Sequence, residues 1–143
     1  VGKDVPQVDA EKNMRVYSLI EKAIEEGLLA SAMSLSSGGL GIALAKASIG
    51  GMLGADVSLS ELPGEAKTIP AKLFSESQGR VLVSVSPRKK ETFEKMIKRI
   101  PHARLGEIRQ TDKLVIADKN KKIVNVAIKK LHSLYHNFSN SMT

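Results

Sequence analysis

The chain has 143 residues, no cysteine, no tryptophan and an aromatic content of 3%, with 42% hydrophobic and 26% charged residues. This length and composition predict one globular domain rather than a disordered chain. The absence of cysteine excludes disulfides, thiolate metal sites and cysteine nucleophiles. The low aromatic content argues against a stacking platform for single-stranded nucleic acid.

The net charge of +7 is unevenly distributed. Residues 88–143 contain 14 Lys and Arg against 5 Asp and Glu, whereas residues 1–87 contain 8 against 10. A basic half suits nucleic acid, a membrane surface or a phosphorylated small molecule, but it is also typical of solvated lysine-rich helices and turns. Because the lysines fall in turns and on outer helix faces without aromatic neighbours, we expect no nucleic-acid partner.

An 18-residue uncharged run, residues 28–45, is interrupted by four serines and three glycines. Such a run is too polar and too broken for a spanning helix. The N-terminal residues contain no apolar signal core. We therefore expect no membrane partner and a cytoplasmic location.

The first half of the chain predicts alternating helices and strands. Asp9 is the expected N-cap of a helix over 10–26, and Gly27 is expected to end it. Apolar periodicity then predicts a strand over 29–35, a turn over 36–39, a helix over 40–48, a strand over 54–59 and a loop over 60–70.

The second half begins with the strongest strand signal, the β-branched alternation of residues 80–85. Pro87 is expected at the first position of a helix over 87–99. Strands are predicted over 103–109, 113–117 and 123–126, with a hairpin turn over 118–121 and a final helix over 127–138.

This order predicts an α+β domain with a mixed, largely antiparallel sheet and helices packed against it. We assign residues 9–138 to a single domain, residues 1–8 to a tail or linker, and residues 139–143 to a C-terminal tail.

A strand–Ser36-Ser37-Gly38-Gly39–helix segment is the first candidate for chemistry. Glycines allow a sharp turn and close approach of a ligand, and the following helix start offers N–H groups to a phosphate. No Gly-Lys-Ser/Thr follows, so this is not a Walker loop. The alternative is a simple strand-to-helix turn with a serine as N-cap.

A polar segment before the strong strand is the second candidate, with Ser75, Glu76, Ser77 and Arg80 within six residues. Arginine suits bidentate contacts to phosphate or carboxylate, and Glu76 could hold a metal, a ribose hydroxyl or Arg80 itself. The alternative is a polar strand entry with an internal Glu76–Arg80 pair.

Three histidines offer little catalytic signal. His132 and His136 lie four apart on the last predicted helix, without a neighbouring carboxylate or cysteine to complete a metal site. We interpret them as part of a polar helix face and predict no metal site. No serine is marked as a nucleophile, so we predict no catalytic residue.

The two candidate segments resemble those of the formylglycinamidine ribonucleotide synthase (PurL) family. Residues 32–40, Ala-Met-Ser-Leu-Ser-Ser-Gly-Gly-Leu, are similar to its Ala-His-Asp-Val-Ser-Asp-Gly-Gly-Leu loop. Residues 73–80 resemble its Leu-Phe-Ser/Gly-Glu-Ser-x-x-Arg segment, the most specific part of the likeness. Residues 41–45 and 104–108 also follow the family pattern, so the resemblance runs from about residue 10 to 136.

This resemblance implies the last C-terminal domain of an ATP-dependent ligase that amidates formylglycinamide ribonucleotide through an acyl phosphate. ATP and Mg²⁺ would be held largely by a separate N-terminal domain, and a glutaminase partner would supply ammonia. The chain alone is expected to bind no cofactor and to be inactive. The implied substrate or phosphate-binding residues are Ser36, Ser37, Gly38, Gly39, Ser75, Glu76, Ser77 and Arg80.

The chain departs from the family at its loop. Ser34 and Ser37 stand where the family has aspartates, and Met33 stands where it has histidine. An alternative function is therefore a stand-alone or regulatory module of the same superfamily, of the selenophosphate synthetase, thiamine monophosphate kinase or hydrogenase maturation type. We also expect self-association, because a domain cut from a larger protein exposes apolar surface.

Overall fold

The computed structural model describes residues 8–140 and the side chains of residues 8–137. The predicted tails over 1–8 and 139–143 lie largely outside these residues. The described chain divides into two compact units, one formed by residues 8–43 and 74–102, the other by residues 44–73 and 103–140. The assignment of residues 9–138 to a single domain stays a prediction.

Five α-helices and six strands follow one another along the described chain. In order they are α1 (Ala10–Glu25), β1 (Leu29–Ser34), α2 (Gly39–Gly51), β2 (Gly54–Ser58), α3 (Ile69–Phe74), β3 (Val81–Val85), α4 (Lys90–Ile97), β4 (Gly106–Arg109), β5 (Lys113–Asp118), β6 (Lys121–Ala127) and α5 (Ile128–Asn140), with a short 3-10 helix at Pro87–Lys89. None of the helices among the described residues is long and apolar enough to cross a membrane.

Helix α1 begins and ends as its sequence predicts. The Asp9 side chain accepts a hydrogen bond from the Lys12 N–H at 3.0 Å, which satisfies one of the amides at the helix start. At the other end Gly27 has φ +62°, and the Leu28 N–H donates to the Ala23 carbonyl at 2.8 Å. This left-handed glycine ends the helix and turns the chain into β1.

The first unit is built on a two-stranded antiparallel sheet of β1 and β3. In its main apolar cluster, α1 and α4 supply three buried side chains, the turn between α1 and β1 supplies a fourth, and β1 and β3 add partly buried ones. The cluster consists of Ala23, Leu28, Phe93 and Ile97, packed against Leu29, Val83, Val85, Met96 and Ile100. Because two strands alone are marginally stable, this helix packing holds the sheet together.

The second unit contains a four-stranded mixed sheet in the order β4-β2-β5-β6. Strand β2 pairs antiparallel with β4 and parallel with β5, and β5 pairs antiparallel with β6. An ion pair joins α3 to the end of β5, with the Lys72 Nζ 2.8 Å from Asp118 Oδ1 and only 13% of each side chain exposed. The buried apolar side chains of this unit include Leu44, Val57, Leu59, Leu73, Leu114, Ile116 and Ile128.

The α+β class and the largely antiparallel pairing are confirmed, but the strands form two sheets instead of one. The sequence also failed to predict α3, which begins inside the predicted loop at Ile69. Pro70 was interpreted as a loop residue, yet proline suits the first helical turn. The Thr68 hydroxyl accepts the Ala71 N–H at 3.3 Å and caps this helix.

We expect Gly106→Ala to lower the free energy of unfolding by about 1–3 kcal/mol, the usual effect of overpacking. A methyl group on Gly106 would lie 1.8 Å from the Asp56 carbonyl oxygen on the neighbouring strand. Urea unfolding measures the change. The control is Gly50→Ala on α2, where no described atom lies within 4 Å of the new methyl. Gly50→Ala should raise the free energy of unfolding by up to about 1 kcal/mol. Equal effects of Gly106→Ala and Gly50→Ala would contradict the close packing assigned to Gly106.

Candidate functional site

The pairing of β1 with β3 brings the two candidate segments to the same end of one sheet. Ser34 at the end of β1 lies opposite Val81 at the start of β3. The next residue, Leu35, continues the ladder with its N–H donating to the Arg80 carbonyl at 2.9 Å. In an antiparallel pair, the segment that leaves one strand therefore lies beside the segment that enters the other.

A hydrogen bond joins the two segments directly. The Gly38 N–H donates to the Glu76 carboxylate, with 2.8 Å between Gly38 N and Glu76 Oε1. The acceptor is thus a carboxylate from 38 positions further along the chain, not one of the serines considered as an N-cap. A negative charge beside the first turn of a helix is favoured by the helix dipole, and α2 has no acidic residue of its own there.

Gly38 is required at this point for two reasons. Its φ of +84° lies in the left-handed region that side chains disfavour. A methyl group at this position would also lie 2.2 Å from the Cγ1 atom of Ile42, one turn into α2. The chain can turn into the helix and present the Gly38 N–H to Glu76 only without a side chain here.

Arg80 folds back over its own segment. Its Nε donates to the Ser77 carbonyl at 3.1 Å, and an Nη2 hydrogen bond reaches the Ser75 carbonyl. Partial burial lowers the pKa of the guanidinium, which nevertheless stays charged at neutral pH. Glu76 and Arg80 have different partners, so the alternative of an internal pair between them does not describe this segment.

The hydroxyl groups at the site differ in exposure. Ser36, Ser37 and Ser77 are exposed, while Ser75 is half-buried. The Ser36 carbonyl accepts the Gly39 N–H at 2.9 Å, which closes the turn before α2. The loop therefore combines a tight backbone turn with hydroxyls open to a ligand.

The residues that replace the family's loop carboxylates do not form a metal centre. Ser34 and Ser37 are exposed and Met33 is half-buried. Across residues 8–140, no group of three or more histidine and acidic side chains could hold a metal ion. Glu76 Oε1 accepts the Gly38 N–H, so this carboxylate holds the loop to the segment before β3.

One neighbour of the site could not be predicted from the sequence. The Asn13 side chain on α1 lies against Gly79, so close that a methyl group there would be 1.9 Å from Asn13 Oδ1. This contact fixes the segment before β3 against the first helix. Because Asn13 and Gly79 are far apart in sequence, the only local sign of this contact was that position 79 is a glycine.

The α+β units, together with a glycine loop bound to a Glu-Ser-x-x-Arg segment, define the class of protein. The model of the family described as "AIR synthase related protein, C-terminal domain" matches residues 2–119. The chain belongs to this family.

Curated sequence relatives of this chain include PurL subunits. The phosphoribosylformylglycinamidine synthase subunit PurL of Carboxydothermus hydrogenoformans is 35% identical over 135 residues, which cover 92% of this chain and 18% of that protein. The PurL subunit of Thermosynechococcus vestitus is 37% identical over 131 residues, covering 88% and 17%. The chain therefore spans less than a fifth of the length of these relatives.

Solved structures of a PurL protein also align with most of this chain. Thermotoga maritima PurL complexed with FGAR aligns with a TM-score of 0.78 at 25% identity, covering 90% of this chain and 22% of that one. The complex of T. maritima PurL with ATP aligns with a TM-score of 0.73 at 26% identity, covering 82% and 21%. The PurLQS structure from the same organism aligns with a TM-score of 0.76 at 26% identity, covering 88% and 22%.

The contact between Gly38 and Glu76 predicts a measurable stability effect. Glu76→Ala removes the acceptor and should lower the free energy of unfolding by about 0.5–2 kcal/mol, the range for loss of a helix cap. Glu76→Gln keeps a side-chain oxygen and should lose less. Urea unfolding monitored by circular dichroism measures both.

The matched control is Glu65→Ala, which removes an exposed carboxylate from the loop before α3. It should change stability by less than about 0.5 kcal/mol. A loss at Glu65 as large as that at Glu76 would argue against a specific cap.

Proposed function

We propose that this chain is the C-terminal domain of a PurL-like phosphoribosylformylglycinamidine synthase. The proposed reaction of the whole protein is the ATP-dependent amidation of formylglycinamide ribonucleotide in purine biosynthesis. The sequence relatives and the T. maritima structures support this proposal. The stand-alone module remains the alternative, but neither the PurL relatives nor the structural neighbours reported above favour it.

The domain's proposed role is to bind the phosphate of the substrate. The observation that carries this role is the 2.8 Å hydrogen bond by which Glu76 joins the loop of residues 36–39 to the segment of residues 75–80. The first amides of a helix lack intrahelical acceptors, and such amides bind phosphate in glycine-rich loops. In our proposal Ser36, Ser37 and Ser77 add hydroxyl donors beside them.

Arg80 and Glu76 have opposite electrostatic effects in this proposal. The guanidinium retains hydrogen-bond donors beyond the two that it gives to Ser75 and Ser77, and one can reach an incoming phosphate. The Glu76 carboxylate repels a phosphate but holds the loop in its binding shape. The Gly38 and Gly39 N–H groups already donate to Glu76 and to the Ser36 carbonyl. We therefore infer that a phosphate binds beside the Glu76 contact and is held mainly by hydroxyls, by the amides that follow Gly39 in α2, and by Arg80.

We infer that ATP and Mg²⁺ are held largely by an N-terminal domain of the same protein. T. maritima PurL was solved in complex with ATP, which supports nucleotide use by proteins of this kind. The serines at positions 34 and 37 lack the carboxylate oxygens that Mg²⁺ prefers, so this loop does not fit the ion. No step that requires Mg²⁺ is assigned to these residues.

The proposed partners are the N-terminal domain and a glutaminase subunit that supplies ammonia, in a cytoplasmic protein. The PurLQS structure supports an assembly of several subunits. Self-association of the isolated chain also stays a prediction. Exposed apolar side chains on α1 support it, because Met14, Tyr17 and Ile24 are each at least 46% exposed.

The first prediction from this proposal concerns binding of inorganic phosphate to the 143-residue chain. A helix start contributes about 0.3–1 kcal/mol and charge-assisted bonds from Arg80 about 1.5–3 kcal/mol. Association costs of several kcal/mol leave an affinity of about millimolar. Nuclear magnetic resonance titration should shift the amides that follow Gly39 at the start of α2, and Arg80→Ala should weaken binding about tenfold.

Lys129→Ala on α5 is the charge-matched control. Like Arg80→Ala it removes one positive charge, but Lys129 is exposed and lies on α5, outside the two segments of the site. This substitution should leave phosphate binding unchanged. Equal weakening by the two substitutions would indicate a diffuse basic surface and would rule out the proposed site.

A second prediction concerns catalysis by the chain alone. Since it spans less than a fifth of its PurL relatives, we expect no amidation of formylglycinamide ribonucleotide with ATP, Mg²⁺ and ammonia. The assay measures ADP release, with an intact PurL enzyme as positive control. Turnover by the isolated chain would overturn the proposal that catalysis requires the other domains of a PurL-like protein.

A further inference from the structure

Two histidines on helix α5 place their ring nitrogens within reach of a single ion. His132 Nε2 and His136 Nε2 are 3.1 Å apart, and the two ring centroids are separated by 4.3 Å. Both side chains are exposed. Residues four apart lie on the same helix face, so the backbone itself holds the rings together.

The separation of the two nitrogens fits bidentate coordination. Zinc–imidazole bonds are about 2.0–2.1 Å long, so two nitrogens 3.1 Å apart subtend roughly 100° at the ion. Tetrahedral and square-planar geometries both accommodate this angle. A neutral imidazole presents one bare nitrogen, and binding replaces the present hydrogen bond between the rings with two bonds to the metal.

Against the sequence-based prediction of a merely polar helix face without a metal site, we propose that His132 and His136 form a two-histidine chelate for a late first-row divalent cation, namely Ni²⁺, Cu²⁺ or Zn²⁺. Imidazole is a favoured ligand of these ions, and the remaining coordination positions are open to water. This chelate is independent of the phosphate-binding role proposed above. The Tyr135 ring on the same helix lies edge-on to the His136 ring, with 6.2 Å between the ring centroids.

Isothermal titration of the 143-residue chain with Ni²⁺ tests the proposal. We expect one equivalent to bind and to raise the thermal unfolding temperature, because the metal favours the folded helix. His132→Gln and His136→Gln should each weaken binding at least about tenfold, since one remaining imidazole lacks the chelate advantage. Wild-type affinity in either variant would overturn the proposal.

Two controls separate chelation from adventitious binding. His102→Gln removes the third histidine, whose ring hydrogen-bonds the Ile100 carbonyl, and should leave Ni²⁺ binding unchanged. The double variant H136N/N137H keeps the amino-acid composition but places the two histidines five residues apart. Side chains five residues apart point in different directions around the helix axis, so they cannot converge on one ion as closely. This variant should bind as weakly as His136→Gln. Tight binding by this double variant, or loss of binding in His102→Gln, would contradict a chelate at His132 and His136.

Discussion

The hydrogen bond from the Gly38 N–H to the Glu76 carboxylate is the contact on which the candidate site depends. The antiparallel pairing of β1 with β3 brings the two segments to the same end of the sheet, but pairing alone leaves loops free to diverge. The carboxylate fixes the start of α2 against the segment before β3. Arg80 then holds that segment in shape through the Ser75 and Ser77 carbonyls.

The loop of this chain contains fewer carboxylates than the PurL loop pattern. Replacing two loop aspartates of the PurL pattern with Ser34 and Ser37 removes negative charge from the entrance to α2. Among the described side chains, Glu76 is the one carboxylate that hydrogen-bonds the loop, and it does so through a backbone amide. The family's loop geometry can thus persist without the oxygen ligands that a divalent cation needs. The PurL relatives are more than five times longer than this chain, so another domain of such a protein can provide the metal site.

Local signals predicted the local structure. The Asp9 cap, the Gly27 helix end and the Pro87 helix start follow from the side-chain chemistry at those positions, and each lies where it was expected. Helix α3 was missed because Pro70 was interpreted as a loop residue, although Thr68 supplies a cap just before it.

The nonlocal contacts of the site could not be predicted from sequence. The structure places both segments at the same end of one sheet, but the partner of each side chain was not predicted. Glu76 was expected to contact Arg80 or a ligand, whereas it binds Gly38, and Asn13 was not expected at Gly79. These contacts depend on which strands pair, and strand pairing is decided by packing across the whole unit. The resemblance to the PurL family grouped residues 36–39 and 75–80 into one site, which the apolar periodicity of the sequence could not do.

Hydrogen exchange at the Gly38 amide tests the central contact most directly. Nuclear magnetic resonance follows this one amide in the wild-type chain and in Glu76→Ala, and amides in the β1–β3 ladder report whether the unit stays folded. We expect exchange at Gly38 to be at least about tenfold faster in the variant, equivalent to about 1.4 kcal/mol of lost protection. The ladder amides should change by no more than the measured loss of unfolding free energy. Equal exchange at Gly38 in the two chains would contradict the hydrogen bond that joins the two segments.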